Sequence, residues 1–257
     1  LKSLHALHGL CNRGGCNADP CNVHNVFYLK FMEIKPIAHF HSPFSTKFGI
    51  PKQSGLVEEL EGQIIFEPDY RDGEALRGID QFDYLWLIWE FSANRHEAVG
   101  TTVRPPLLGG NVRMGVFATR SPYRPNALGL SSVRLSHVEW QTDNGPIIHV
   151  LGADLMEGTP IYDIKPYITY ADCHERARSG FVDTHSLKHL TVNIPESMNN
   201  VFSPSELEAL RKILSLDPRP HYHHDSKRIY GMPFLDHDIH FSVIDDKVVN
   251  VLNFTDI

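Results

Sequence analysis

A turn with two arginines is the part of this sequence whose residue types best fit a binding site. It lies in the stretch Gly115 to Ser132, GVFATRSPYRPNALGLSS, and places Arg120 and Arg124 on either side of a proline-tyrosine pair. We expect the stretch to begin as a buried strand, Val116-Phe117-Ala118, and Gly129 to let the backbone reverse or approach a ligand closely. A rigid polar loop after a strand is how many folds present a binding site, although an ordinary connection fits the same pattern.

Three carboxylates lie close together further along the chain, at Asp154, Glu157 and Asp163. They follow a predicted strand, where they could accept hydrogen bonds from an amine or hydroxyl, neutralise a cation or act as a base. Charged residues of a solvated turn would give the same pattern, and the sequence leaves both interpretations open.

The charge is unevenly distributed along the chain. The net charge of the 257 residues is −7, so the protein as a whole does not attract nucleic acid. No acidic residue lies between Glu97 and Glu139, whereas five arginines do: Arg104, Arg113, Arg120, Arg124 and Arg134. A local basic surface on an acidic protein indicates a site for a polyanion, unless these arginines form internal salt bridges.

Cysteines and histidines offer only weak metal-binding patterns, and we expect no bound metal. The evenly spaced Cys11, Cys16 and Cys21 lack an evident fourth ligand. Five further histidines lie near the C-terminus without an H-E-x-x-H motif: His221, His223, His224, His237 and His240. The sequence also lacks a Walker motif, a GxGxxG motif and an apolar run of the roughly 20 residues that span a bilayer.

Strand signals outnumber helix signals, which predicts a mainly β fold: an antiparallel sheet or barrel with a smaller α+β part. The nearly continuous apolar run Phe82–Phe91 predicts a central strand buried on both faces. Other predicted strands are Ile34–His41, Gly62–Glu67, Ser132–Trp140, Pro146–Leu155 and Ser186–Ile194.

The C-terminal part combines one helix with a hairpin. A capping box at Ser203 starts a helix predicted to run from Pro204 to about Leu216. His237–Ile244 and Val248–Phe254 predict a closing β-hairpin. We expect four segments in all: a disordered extension (1–26), a barrel domain (27–170), a linker (171–186) and a C-terminal α+β domain (187–257).

Several long blocks of this sequence resemble the TsaA/TrmO family, also called YaeB-like. The blocks are FGIPKQSG, DQFDYLWLIWEF, TVRPPLLGGNVRMGVFATRSPYRPNALGLSSV, GADLMEGTPIYDIKPY and DPRPHY. The resemblance extends from about Ile34 to the C-terminus and is densest between Thr102 and Tyr167.

The resemblance implies an S-adenosylmethionine-dependent tRNA methyltransferase. Members of this family methylate N6 of threonylcarbamoyl-adenosine at position 37, in the anticodon stem-loop of tRNA. They have a β-barrel in place of a Rossmann sheet, a smaller C-terminal domain and a homodimeric assembly. The resemblance thus implies a cytoplasmic homodimer with tRNA as partner, S-adenosylmethionine as methyl donor and no attachment to membranes.

The family's donor contacts map by resemblance onto several loops. They are Pro51, Lys52, Gln53, Ser92, Ala93, Arg120, Leu130, Asp154, Leu155, Met156 and Glu157. The family commonly has arginine at Lys52, a His-Gln pair at Ser92-Ala93 and aspartate at Glu157. The change at Ser92-Ala93 removes the expected side-chain contacts there but leaves backbone contacts open.

The remaining assignments concern the reaction and the RNA. The target nitrogen must lose a proton, and Asp154 or Glu157 is the candidate base. Tyr123 is a candidate stacking platform for a splayed base, and Arg113, Arg124 and Arg219 are candidate phosphate contacts. Two alternatives remain: a non-catalytic donor-binding or RNA-binding module of the same fold, and a metal-dependent hydrolase that uses the histidines.

Overall fold

The computed structural model describes residues 33–94, 100–185, 187–220, 223 and 225–257. The predicted N-terminal extension and the three cysteines within it lie outside these residues. The strands of the described part are β1 (Ala38–His41), β2 (Glu61–Phe66), β3 (Tyr84–Glu90), β4 (Thr102–Val103), β5 (Met114–Gly115), β6 (Leu128–Glu139), β7 (Ile147–Leu151), β8 (Thr159–Pro166), β9 (Thr191–Asn193), β10 (Tyr230–Phe234), β11 (His237–Ile244) and β12 (Val248–Asp256).

The helices of the described part are mostly short. The α-helices are α1 (Thr169–Asp172) and α2 (Pro204–Ser215). The 3₁₀ helices are Pro68–Tyr70, Gly73–Leu76, Ile79–Gln81, Pro106–Leu108, Val116–Ala118, Gly180–Thr184 and Glu196–Asn200. Neither α2 nor any other helix in the described ranges combines the length and the apolar composition needed to cross a bilayer.

Six strands close into a barrel in the order β1-β2-β7-β6-β3-β8, and all six pairings are antiparallel. Apolar side chains from alternate positions fill its interior, among them Phe40, Ile64, Leu87, Ile148 and Ile161, each at most 2% exposed. The period-2 pattern of the sequence produces this arrangement, because alternate side chains of a strand point to opposite faces. The prediction of a mainly β fold with a barrel is confirmed.

The prediction that β3 is buried on both faces is wrong. Leu85, Leu87 and Trp89 point into the barrel and are buried, whereas the alternate residues are less buried and Tyr84 is 43% exposed. A barrel strand has its neighbours beside it and the core on one side only, so an apolar run does not require two buried faces.

The predicted strand Val116–Ala118 is also wrong, since these residues form a 3₁₀ helix. The preceding strand β5 is only two residues long and pairs with the equally short β4. Once that pairing ends, the chain turns locally, with Val116 buried and Phe117 78% exposed.

Gly129 lies within β6 and not in a turn, so the expectation that it reverses the chain is wrong. It pairs with Trp89 of β3, and a Cβ built on Gly129 would lie 2.3 Å from Cε2 of that indole. The absence of a side chain at Gly129 therefore gives the Trp89 ring its place against β6.

Replacing Gly129 with alanine is expected to destabilise the fold by about 1–3 kcal/mol, as overpacking in a well-packed core does. Chemical denaturation followed by tryptophan fluorescence measures this. Gly115→Ala is the matched control, because nothing lies within 4 Å of a Cβ at that position. Equal stability of the two variants would contradict the role given to Gly129.

The C-terminal part forms a four-stranded sheet in the order β10-β11-β12-β9, in which β9 runs parallel to β12. The predicted hairpin of β11 and β12 is confirmed, and so is the capping box that starts α2 at Ser203. The sequence does not predict strand β10, because Pro233 lies inside it and proline argues against a strand.

A second hydrophobic core lies between this sheet, α2 and a segment from the N-terminal half of the chain, residues 43–60. Phe44, Val57 and Leu60 of this segment are buried in that core. Gly49 has a φ of +97°, and its missing side chain lets Met232 pack against the backbone. Segment 43–60 thus belongs to the C-terminal core, and the domain boundaries expected at 170 and 186 stay a prediction.

Candidate functional site

A cleft of about 450 Å³ opens at the end of the barrel where β3 and β7 finish and β6 and β8 begin. Its volume lies in the range of roughly 300–1,000 Å³ that is typical of small-molecule sites. The walls come from segment 43–60, the end of β3, the arginine-bearing turn, the start of β6 and the loop after β7. Because the arginine-bearing turn leads directly into β6, the chain brings four separate parts of the sequence to one concave surface.

Most of the predicted donor-binding residues line this cleft. They are Pro51, Lys52, Gln53, Ser92, Ala93, Arg120, Leu130, Asp154 and Met156. Two predicted residues do not line it: Leu155 is 1% exposed in the barrel core, and Glu157 lies on another side of the loop. The hypothesis that the arginine-bearing turn and the acidic strand end share one cavity is supported by this geometry.

Asp154 is a partly buried carboxylate that lines the cleft. Its Oδ1 accepts a hydrogen bond of 2.6 Å from Oγ of Ser131, which in turn accepts one of 3.0 Å from Nε1 of Trp89. Burial raises the pKa of Asp154, although the hydrogen bond from Ser131 and the charge of Arg120 act in the opposite direction. A carboxylate with a raised pKa is a better proton acceptor than an exposed one.

Arg120 is exposed and lines the cleft, on the turn predicted to hold a ligand. Its Nη1 donates a hydrogen bond of 2.5 Å to Oε1 of Gln53, another predicted donor contact. The planar guanidinium keeps further N–H groups for an anionic ligand, and carboxylates match its geometry.

The carboxylate of Glu157 makes its hydrogen bond and its ion pair outside the cleft. Its carboxylate accepts a hydrogen bond of 2.7 Å from the backbone N–H of Ser42 and pairs with Nδ1 of His41 at 2.9 Å. Successive residues of the loop point in different directions, so Asp154 faces the cleft and Leu155 the barrel core. Of the two candidate bases, the geometry favours Asp154.

The backbone at Ser92-Ala93 is held in place by a lysine that the sequence analysis did not single out. Nζ of Lys47 donates hydrogen bonds to the carbonyl of Ala93 at 2.8 Å and to Oδ1 of Asn94 at 2.7 Å. A fixed backbone supports main-chain contacts to a ligand even though serine and alanine offer little side-chain recognition.

The predicted RNA contacts differ in their surroundings. Tyr123 is 54% exposed, and Arg113 is exposed with a hydrogen bond of 3.2 Å to Oγ1 of Thr102. Arg124 lines the cleft, and its Nη1 donates to the carbonyls of Thr119 at 3.1 Å and Ser121 at 3.3 Å. Arg124 therefore fixes the turn that carries Arg120.

Arg219 lies in the loop after α2, where its guanidinium is bound by two carboxylates. Its side chain is 4% exposed and pairs with Asp217 at 2.8 Å and Asp246 at 2.9 Å. The hydrogen bond to Asp217, with that to Asp246, raises the pKa of Arg219 above its ordinary value. With the guanidinium buried between two carboxylates, the predicted phosphate contact of Arg219 has no support in this geometry.

The described residues contain no group of three or more His, Cys, Asp or Glu side chains arranged to hold a metal. His237 pairs with Asp256 at 3.0 Å, and His240 contacts Asp238 at 3.2 Å. His221 and His224 lie outside the described residues.

The cleft also contains residues that the sequence did not mark as site residues, among them Trp89, Ser131 and Glu90. Ser131 carries a usable signal, because it is a hydroxyl at an inward-facing position of an alternating strand. Trp89 looked like plain core. Glu90 ends β3 and accepts a hydrogen bond from the hydroxyl of Tyr162; burial and this carboxylate raise the pKa of Tyr162 to about 12.

Comparison with known proteins places this fold and cleft in context. Residues 39–173 match the family model of the tRNA-methyltransferase O N-terminal domain, and residues 188–257 match the TrmO C-terminal domain. The chain is 33% identical over 226 residues to the tRNA (adenine(37)-N6)-methyltransferase of Escherichia coli K12, covering 84% of this chain and 95% of that protein. It is 34% identical to a putative S-adenosylmethionine-dependent methyltransferase, RcsF, of Pseudomonas aeruginosa, covering 86% and 96%.

A solved structure agrees with these matches. The crystal structure of TrmO from Pseudomonas aeruginosa superimposes with a TM-score of 0.70 at 30% sequence identity, covering 90% of this chain and 99% of that one. The resemblance found in the sequence motifs is thereby confirmed, and the chain belongs to the tRNA-methyltransferase O family.

Proposed function

We propose that this protein transfers a methyl group from S-adenosylmethionine to N6 of adenine 37 in tRNA, in its threonylcarbamoyl-adenosine form. The observation that carries the proposal is the shared cleft of Arg120 and Asp154 at the end of a barrel. Proteins similar over most of this chain are named for the same methylation of adenine 37.

The cleft residues fit the chemical groups of the donor. Arg120 suits its carboxylate, because a guanidinium and a carboxylate form paired, charge-assisted hydrogen bonds. The carboxylates of Asp154 and Glu90 suit its cationic groups and hydroxyls, and the ring of Phe91 lines the same wall. When bound, S-adenosylmethionine supplies the methyl group as an electrophilic carbon on a sulfonium.

The residues of this chain have two tasks in the transfer, which are positioning and proton removal. The cleft walls hold the two reactants in line, which is the main demand of a displacement at carbon. As N6 of the target forms a bond to the methyl carbon, the bond between that carbon and sulfur breaks and its electron pair stays on sulfur. N6 loses its proton, and Asp154 is the proposed acceptor of that proton. Its raised pKa suits the role, since a base works best with a pKa closer to the working pH.

The tRNA would reach the cleft across the arginine-bearing turn. Tyr123 presents a half-exposed ring on which a base from a single-stranded loop can stack. Arg113 and Arg124 are the proposed phosphate contacts, and their charge is not opposed by nearby acidic residues in the sequence between Glu97 and Glu139.

Replacing Arg124 with alanine is expected to weaken tRNA binding more than donor binding, because it removes a phosphate contact but affects the donor only through the turn that Arg124 fixes. One lost phosphate contact lowers the slope of log K against log salt by about 0.7–0.9. Gel-shift titrations at several salt concentrations measure this, with Arg77→Ala as the control, since Arg77 pairs with Glu74 and lies outside the cleft. Unchanged tRNA affinity and salt slope would refute the contact.

The proposed function is tested with purified protein, threonylcarbamoylated tRNA and the donor. Mass spectrometry of the digested nucleosides should show a methyl group added to N6 of the modified adenosine. Donor binding in calorimetry without any transfer would instead favour the alternative, a non-catalytic binding module of the same fold. We propose that no metal takes part, so activity should survive chelation, which a hydrolase dependent on the histidines would not.

We also propose that the protein works as a homodimer in the cytoplasm. Light scattering after size-exclusion chromatography tests the assembly, and a single-chain mass would contradict it. Fractionation of cells followed by immunoblotting tests the location.

A further inference from the structure

We propose that Ser131 is a positioning residue for the carboxylate of Asp154, with its own hydroxyl oriented by the indole of Trp89. The proposal rests on the proposed function in one respect, namely that Asp154 accepts a proton during methyl transfer. Nothing in the sequence resemblance assigned a role to Ser131 or Trp89.

The direction of the hydrogen bonds follows from the chemistry of the three groups. An indole N–H can only donate, so Oγ of Ser131 must accept from Trp89 over the observed 3.0 Å. An ionised carboxylate can only accept, so the single O–H of Ser131 must point to Oδ1 of Asp154 over 2.6 Å. Trp89 therefore donates to Ser131, and Ser131 donates to Asp154.

The indole of Trp89, at which this series of hydrogen bonds begins, is held rigidly. Trp89 is 7% exposed and Ser131 2% exposed, so water does not compete freely for either group. The indole packs on Gly129, where a Cβ would overlap it, and against the ring of Phe91 at a centroid distance of 4.4 Å. A fixed indole fixes the hydroxyl, and the hydroxyl fixes one oxygen of Asp154.

The hydrogen bond also sets the proton affinity of Asp154. It stabilises the charged carboxylate and thereby opposes the effect of burial, which raises the pKa of Asp154. Without the hydroxyl, Asp154 would hold its proton to a higher pH. Since Asp154 must be ionised to accept a proton, activity would then be lost at a higher pH on the acidic side.

The test compares Ser131→Ala and Trp89→Phe with the unaltered protein. The acidic limb of the kcat/KM profile for methyl transfer should move up by about one pH unit in Ser131→Ala, as expected for losing a hydrogen bond to a charged group. Trp89→Phe keeps the ring but removes the N–H, and should move the limb in the same direction by less. Ser132→Ala, at the neighbouring position on the other face of β6, is the control and should leave the profile unchanged.

A second measurement separates this proposal from the proposed function. Carboxyl ¹³C NMR reports the titration of Asp154 directly, assigned with Asp154→Asn, and does not depend on catalysis. A midpoint that rises in Ser131→Ala supports the positioning role, and a midpoint equal to that of the unaltered protein overturns it. If the unaltered protein transfers no methyl group, the proposed function fails while the titration still decides the role of Ser131.

Discussion

Replacing Asp154 with asparagine is expected to lower the rate of methyl transfer by roughly 100-fold to 10,000-fold, the usual contribution of a positioned general base. Asparagine keeps the shape of the side chain and can still accept a hydrogen bond from Ser131, but it cannot accept the proton of N6. Single-turnover methylation with saturating donor and tRNA isolates this step from binding.

The same substitution should not unfold the protein. The pKa of Asp154 is raised by burial, so the folded state binds the proton more tightly than the unfolded chain does. Ionising this group therefore opposes folding as the pH rises above its unfolded pKa, and at neutral pH the folded protein contains a costly charge. Asp154→Asn removes that charge, and thermal unfolding at pH 7 should show a stability equal to or above that of the unaltered protein.

Asp163→Asn is the matched control for the loss of one carboxylate. Asp163 lies in β8, pairs with Lys165 at 3.1 Å and does not line the cleft. Its replacement should leave the methylation rate within about twofold, since a surface ion pair contributes little. Similar losses in both variants would mean that Asp154 is not the proton acceptor.

Replacing Arg120 with alanine is expected to weaken donor binding roughly 10-fold to 150-fold. The substitution removes a hydrogen bond between charged groups, which contributes about 1.5–3 kcal/mol, and each 1.4 kcal/mol corresponds to a tenfold change in affinity. The fold should survive, because the side chain is exposed and its contact in the structure is a hydrogen bond to Gln53. Isothermal titration with S-adenosylmethionine measures the effect.

Arg113→Ala controls for the loss of one positive charge near the site. Arg113 is exposed and lies outside the cleft, so its replacement should leave donor affinity unchanged. A donor affinity of Arg120→Ala equal to that of the unaltered protein would remove Arg120 from the donor site.

The fold class was predictable because it depends on short-range patterns. The alternation in β2, β6 and β7, the turn before β7 and the capping box at Ser203 are each encoded within about ten residues. The apolar sequence of β3 could not show that only one of its faces is buried, because burial of a face depends on which other elements cover the strand. The 3₁₀ helix at Val116–Ala118 was not predicted because its apolar residues are typical of a strand. Whether they pair as a strand depends on the length of the partner strand β4, which ends after two residues.

The candidate site was predictable where charge or motif marks it. Arg120 and Asp154 carry charges at turn and strand ends, and the structure brings both to one cleft. Glu157 is a carboxylate like Asp154 and belongs to the same loop. The sequence alone does not show that its side chain points away from the cleft. Ser131 and Trp89 lie in apolar strands, and the hydrogen bond between them joins positions 42 residues apart, which a single sequence does not reveal.

Segment 43–60 contributes residues both to the C-terminal core and to the cleft. One side of it, with Phe44 and Val57, belongs to the C-terminal core, while Pro51, Lys52 and Gln53 form a wall of the cleft. One stretch of backbone therefore contributes to both the cleft and the C-terminal core. If a partner bound the C-terminal sheet more tightly in the arrangement of this segment that the methyl donor favours, it would raise the affinity for the donor, and by reciprocity the donor would raise the affinity for the partner by the same factor.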